Sequence, residues 1–450
     1  MDKKTIYLPI EIKVRELSSH ILLSFFAAKK KYRIYLGSKT AINELIQRKK
    51  NKGGIFIYKG GMEIADILKI KNKVDHFIIL DQELSPSCID FKKEIRRRIW
   101  PGSEKFIDKY YLIGQRAYEA GREVLGDLKD NIVNTGWPSI DLSRNKLRYF
   151  YDEKINEIKN KHGEFILFSS AFSYNSKKKI DDIYKASKYH KWQSVIDSLE
   201  EDMIWAEYTL LEFNKNIELL KEIEKDSDCP QIIIRPHPSE DHQEWQRIAK
   251  SFKKIKVIFD GEISPWVYSA KALLHRGCAS SIQAYLAGIP IGYPLLSQHT
   301  IKKALPYEIS EHLYNAKDII EFCKKNINQE PSPPEKYSEA FNQIVNIENK
   351  FASEIILEDI LKLDVNSELE YKINRNIKDF ISNIIKNNLQ TLKESKTIST
   401  APQSQKMPGG ILKKEVEDIL YKFEKISFDF PCKKIKVRQV FKDCIEIEEQ

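Results

Sequence analysis

The stretch Ile232-Ile233-Ile234-Arg235-Pro236-His237-Pro238 decides the fold, together with its companion Leu273-Leu274-His275-Arg276-Gly277-Cys278-Ala279-Ser280-Ser281. Each is a short apolar run of strand type that ends in a polar turn carrying a histidine. The second turn opens a helical pattern that runs from Ser280 through Gln283 and Leu286 to Gly288. Strands that feed helices in this way predict a parallel sheet with helical crossovers, whose ligands sit at the carboxyl ends of the strands. A helix start preceded by small residues offers amides with no partner inside the helix, and so receives anions. Two imidazoles, an arginine and a helix end on neighbouring strand tips suit a phosphate-bearing ligand such as a nucleotide sugar.

Working outward, the same alternation covers most of the chain. In the first 160 residues, strand-like runs at 6–12, 32–36, 54–58, 76–80, 110–113 and 131–134 alternate with helical patterns. A second series starts at Glu164, with strands expected at 165–168, 231–235, 255–259, 271–275 and 289–293. A long helical stretch is expected from about His190 to Lys225, with Trp192, Val195, Ile196, Leu199 and Trp205 as its core stripe. The expected class is α/β: two Rossmann-like parallel-sheet domains facing a cleft, the GT-B architecture, with a helical C-terminal extension. The expected divisions are an acceptor domain at 1–160 and a nucleotide-sugar domain at 161–335. Helices packing back on the core at 336–395, a flexible linker at 396–411 and a C-terminal helix and tail at 412–450 complete the chain.

A chain of 450 residues exceeds one ordinary core, which agrees with two domains plus additions. Its 42% hydrophobic and 31% charged residues are those of a globular protein. No apolar run approaches the roughly 20 residues that span a bilayer, and the first residues lack a signal-peptide pattern, so a cytoplasmic location is expected. Peripheral contact with the inner membrane is a further expectation, from the net charge of +9 and the clusters Lys29-Lys30-Lys31, Arg96-Arg97-Arg98 and Lys177-Lys178-Lys179. Solvated helix faces are the plainer reading of those clusters. The six cysteines form no C-x-x-C pair, which speaks against a zinc knuckle and fits a reducing compartment. No G-x-G-x-x-G or G-x-x-x-x-G-K-[ST] loop is present, and no nucleic-acid-binding signature is visible.

Several constellations carry chemistry. Pro236 and Pro238 stiffen the turn that holds His237, so the imidazole meets a ligand at little ordering cost. Gly277 permits a turn with positive φ, and Ser280 and Ser281 can cap the helix or donate to phosphate. Asp81 and Glu83, at the tip of the run Phe77-Ile78-Ile79-Leu80, are the candidate catalytic carboxylates, as base or nucleophile. In extended chain the two would point the same way. Glu11, Lys13, Arg15 and Glu16 past the first strand read either as a salt-linked turn or as an acceptor-binding loop. Ser169, Ser170, Ser173 and Asn175 would face the donor.

The segment 5–37, Arg235-Pro236-His237-Pro238-Ser239-Glu240-Asp241 and the His275 segment resemble the bacterial surface carbohydrate biosynthesis protein family. More distantly, they resemble the Kdo transferases of capsule and O-antigen assembly and the GT-B sialyltransferases. That resemblance covers roughly residues 5–300. It implies a metal-independent glycosyltransferase with no cofactor, moving an ulosonic acid (Kdo or a sialic acid) from a CMP-sugar donor to a glycan or glycolipid acceptor of the cell surface. It also implies roles: His237 and Pro238 on the CMP portion, Ser280 and Ser281 on the phosphate, Arg235, His275 and Gly277 in support, Asp81 and Glu83 as the acidic motif. Here that motif reads Asp81-Gln82-Glu83-Leu84, without the glycine of the sialyltransferase pattern, and the last turn reads His275-Arg276-Gly277-Cys278. The alternatives are a UDP-sugar epimerase, a polyol-phosphate transferase, or a non-catalytic assembly protein on the same fold.

Overall fold

The computed structural model describes residues 3–84, 86, 88–172, 174–178, 180–181, 199–295, 304–347, 350–366, 406–426 and 434–450. The first sheet contains β1 (Thr5–Ile10), β2 (Arg33–Ser38), β3 (Ile55–Tyr58), β4 (His76–Leu80), β5 (Lys109–Leu112) and β6 (Ile132–Asn134), all parallel. The second contains β7 (Ile166–Ser169), β8 (Ile232–Arg235), β9 (Lys256–Val257), β10 (Ala272–His275), β11 (Ile291–Pro294) and β12 (Glu311–Leu313), again all parallel. The order is β2-β1-β3-β4-β5-β6 in one and β12-β11-β10-β7-β8-β9 in the other. This is the expected pair of α/β domains facing a cleft.

Why these segments form strands follows from their burial. Every residue of β1 is buried, as are all four of β8. Parallel strands covered by helices on both faces need continuous apolar runs rather than alternation, and Thr5–Ile10 and Ile232–Ile234 supply them. Helix α1 (Lys13–Lys29) buries Leu17, Ile21, Leu22, Phe25 and Phe26 and so lies inside the molecule. The larger apolar core runs from the first sheet into the second through Phe165, Leu167, Ile233 and Leu273. The lobes therefore share a packed base, and the cleft opens above it, at the carboxyl ends of the strands.

Three expectations change. The terminal segment expected as a tail instead forms a hairpin, β13 (Ile435–Phe441) and β14 (Cys444–Glu449), and β14 adds antiparallel to β2. Burial of Ile435 and Val437 alternates with exposure of Lys436 and Arg438, the period of a strand with one covered face. The hairpin seats closely: a Cβ at Gly37 would stand 2.4 Å from the Asp443 carbonyl oxygen. The end of the expected flexible linker is also held. Met407 and Ile411 are buried, and Lys13 donates to the Gly410 carbonyl at 2.7 Å. Finally, within helix α2 (Leu199–Ile223), Phe213, Ile217 and Leu220 are buried but Trp205 is 44% exposed, so Trp205 is not a core residue. Trp192, Val195 and Ile196 lie outside the described residues.

Past the second sheet, the amide of Asn346 donates to the Ile113 carbonyl at 2.7 Å. The buried Asp141 carboxylate accepts the amides of Ala352 and Ser353, at 3.0 and 3.2 Å. These bonds hold the helix Ala352–Ile360 against the first lobe. Among the described residues, no helix is long and apolar enough to cross a membrane.

Candidate functional site

One cavity is lined from both lobes. Arg15, Glu16 and His20 come from the start of α1, Lys59 from the tip of β3, and Gln82 and Glu83 from beyond β4. Opposite stand Ser169 and Ser170 after β7, Arg235 to Pro238 after β8, Glu262 and Ser264, and Cys278 to Ser280 after β10. Glu83 and His237 thus face a common space.

The second-lobe wall is built by hydrogen bonds that the strand tips impose. His237 Nδ1 accepts the Ser239 amide at 3.2 Å and lies 2.7 Å from the Ser239 hydroxyl, which assigns the neutral ring's proton to Nε2. Glu240 fixes this turn from behind. Its buried carboxylate accepts the His237 amide (3.2 Å), the Phe172 amide (3.0 Å), the Ser170 hydroxyl (2.9 Å) and the Trp245 indole N–H. Burial pushes the Glu240 carboxyl up to about 7 against the pull of these donors. One side chain therefore joins the serine turn of β7 to the histidine turn of β8.

At the third tip, Gly277 takes φ +76°, as its turn requires. The Ser281 hydroxyl donates to the Cys278 carbonyl at 2.8 Å and stays buried, while the Ser280 hydroxyl lies 2.6 Å from the Cys278 thiol. These residues open helix α3 (Ser280–Ala287). Among the described residues, the amides of Cys278, Ala279 and Ser280 have no hydrogen-bond partner, and all three residues line the cavity. Three such donors at a helix start can receive an anion.

The first-lobe wall is charged. Lys59 Nζ reaches Glu83 at 2.7 Å and Glu11 at 2.8 Å, and Arg15 stands 3.6 Å from Glu83. Burial pushes the Glu83 carboxyl up, but Lys59, Arg15 and Arg98 outweigh it and hold the carboxyl below its usual range. Glu11 is likewise drawn down to about 2, burial being outweighed by Lys59 and Lys39. Glu16 differs. Burial raises its carboxyl despite Lys59 and the amides of Glu11 and Ile12, which donate to it at 2.9 and 3.0 Å. Among the described residues, no group of three or more His, Cys, Asp or Glu side chains is arranged to hold a metal ion.

Several expected site residues lie elsewhere. Asp81 is fully buried: it pairs with Arg98, accepts the Tyr110 hydroxyl at 2.9 Å and caps the amides of Glu83 and Leu84 at 3.2 Å each. The chain turns after Leu80 instead of staying extended, so Asp81 points inward and Glu83 toward the cavity. His275 is also buried. Its Nδ1 accepts the Gly277 amide at 2.9 Å, its Nε2 lies 2.8 Å from the Ser310 hydroxyl, and its ring stacks on Tyr293. It props the turn rather than facing a ligand. Arg235 lines the cavity, but its guanidinium lies over Trp266 and donates to the carbonyls of Asp260 and Gly261. Glu11 sits behind Lys59, and Lys13 is bound to Gly410 and Glu415. Asn175 exchanges hydrogen bonds with the backbone of Asp241. Ser173 lies outside the described residues.

Other residues at or behind the cavity wall were not singled out from the sequence. Lys59 follows β3 as Asp81 follows β4, so the strand-tip rule could have found it. Glu240 stands three residues past His237, but nothing in that spacing announces four donors. Glu262 accepts Ser18 of α1 at 3.1 Å and Ser264 at 2.9 Å, tying the two lobes together beside the cavity. His20 precedes the apolar run Ile21-Leu22-Leu23 and reads as packing, while Trp137 stands in the turn-like stretch Thr135-Gly136-Trp137-Pro138-Ser139, which carries no ligand signature.

No family model and no curated protein matches this sequence. Similar solved structures include UDP-GlcNAc 2-epimerase from Methanocaldococcus jannaschii in complex with UDP-GlcNAc and UDP, at 13% identity and TM-score 0.47, covering 80% of this chain and 99% of that one. The co-structure of MnaA with UDP from S. aureus gives 14% identity, TM-score 0.46 and coverages of 82% and 100%. Anabaena Alr3699/HepE in complex with UDP and glucose gives 10% identity, TM-score 0.39 and coverages of 80% and 100%. At such values the likeness carries no argument about activity, and the two-lobed fold rests on this chain's own topology.

Proposed function

We propose that the chain is an enzyme of glycan biosynthesis that binds a nucleotide-linked sugar in the interlobe cavity. The observation that carries this reading is the complementarity of the walls. Three amides with no partner among the described residues, together with Ser280 and His237, supply donors for a phosphate linkage on one side. On the other side, Glu83 is held ionised by Lys59 and Arg15. A carboxylate there can take a proton from an acceptor hydroxyl in glycosyl transfer, or from the sugar itself in epimerisation. His237 donates from Nε2 to a phosphate oxygen in this reading, and Glu240 sets its direction.

Arg15 favours a diphosphate over the single phosphate of a CMP-sugar. Its side chain is partly exposed and lies 3.6 Å from Glu83, so it adds a cation across the cavity from the amide cradle. A UDP-sugar is therefore the first ligand to test, and a CMP-ulosonic acid, the donor expected from the sequence, the second. Isothermal calorimetry with UDP, UDP-GlcNAc, CMP and CMP-sialic acid should show uridine nucleotides binding, with affinity falling at least about tenfold in His237→Ala, as for loss of a charge-assisted bond. Binding by none of the four, or an unchanged affinity in the variant, would contradict the reading. Incubation of UDP-GlcNAc with the enzyme, followed by NMR, then separates an epimerised sugar nucleotide from transfer that needs an added acceptor.

A further inference from the structure

Two of the polar groups on the cavity wall that the nucleotide reading does not use, Trp137 and His20, belong to the first lobe. Trp137 is 4% exposed and lines the cavity, yet among the described residues its indole N–H has no hydrogen-bond partner. A buried donor left unpaired costs about 1–3 kcal/mol, so such a group on a cavity wall points to an acceptor that arrives with a ligand. His20, also on this wall, is the complement. Its Nδ1 lies 2.8 Å from the Glu16 carbonyl, which can only accept, so the ring proton sits on Nδ1. Burial lowers the His20 pKa to about 4 and keeps the ring neutral. Nε2 is then a bare acceptor with no partner among the described residues.

A donor and an acceptor, each unpaired among the described residues, on a wall whose apolar surface comes from Trp137, Ile140 and Leu142, with Ser139 among them, match a polyhydroxylated ring: an apolar face with hydroxyls at its edge. The amides offered to the phosphate stand on the opposite lobe. We propose that Trp137 and His20 form the subsite for the glycosyl group of the bound nucleotide sugar, one hydroxyl or carbonyl accepting from the Trp137 indole and one hydroxyl donating to His20 Nε2. This rests on the nucleotide-sugar reading and extends it from the nucleotide to the sugar.

The test uses the full chain, with UDP and UDP-GlcNAc as the paired probes. Trp137→Phe keeps the aromatic packing and removes only the N–H. His20→Asn keeps a donor toward the Glu16 carbonyl and removes the second acceptor. Each variant should bind UDP within about twofold of the wild type and UDP-GlcNAc about five- to tenfold more weakly, the size of one neutral hydrogen bond. In the wild type, the indole N–H resonance of Trp137, assigned by its loss in Trp137→Phe, should shift with UDP-GlcNAc and stay in place with UDP. That second reading uses the variant only to assign the resonance, and its outcome is read on the wild type. Equal weakening for both probes, no weakening for either, or an indole resonance that ignores UDP-GlcNAc bound to the wild type overturns the subsite. A wild type that binds neither probe is a different result: it overturns the uridine-nucleotide reading, and the subsite with it.

Discussion

At the residue scale, the two acids of Asp81-Gln82-Glu83 have separate duties. Glu83 faces the cavity with cations around it, whereas Asp81 is a buried ion-pair partner that shapes the turn carrying Glu83. Glu83→Gln should lower turnover more than about tenfold while nucleotide affinity holds, as expected for loss of a general base. Asp81→Asn should instead strip a buried pair of one charge and cost about 3–5 kcal/mol in urea unfolding. Equal stability losses in the two variants, with turnover intact in Glu83→Gln, would count against this division. The sequence could not make it. Both residues follow an apolar strand, and only the turn after Leu80, stabilised by Arg98 and Tyr110 from distant segments, sends one inward and the other out.

At the element scale, the strand tips were legible and their props were not. Apolar runs before Ser169, Arg235 and His275 mark β7, β8 and β10 because a doubly covered parallel strand tolerates little else. A histidine at such a tip reads as a ligand group, yet of the two only His237 lines the cavity. His275 has a protein partner at each nitrogen, and burial lowers its pKa to about 3. The unfolded chain gains a proton near the ordinary 6.5 that the folded one refuses, so stability falls as pH drops below that value. Wild type and His275→Gln, unfolded in urea at pH 7 and pH 5, should differ by about 2 kcal/mol less at the lower pH. A difference that does not change between those pH values would mean that the ring takes up a proton freely in the folded state. The alternation Ile435-Lys436-Val437-Arg438 marks a strand that the expectation of a tail passed over, and the docking of the hairpin β13–β14 on β2 has no local cue. That pairing depends on Gly37 and on Asp443, four hundred residues away in sequence.

At the scale of the whole molecule, two lobes built from one alternating pattern meet over a common apolar base and leave a cavity between their strand tips. The alternation gave the two sheets away in advance. The meeting of Glu83 with His237 follows from lobe packing, through contacts such as Ser18 with Glu262, which no local pattern encodes. A single nucleotide sugar that touches both walls would shield turns of both lobes at once. Hydrogen–deuterium exchange with and without saturating UDP-GlcNAc tests this most directly. Slowed exchange is predicted in peptides from both lobes, around residues 15–20 and 82–84 and around 236–240 and 278–283. Protection confined to one lobe, or lying away from these turns, would contradict it.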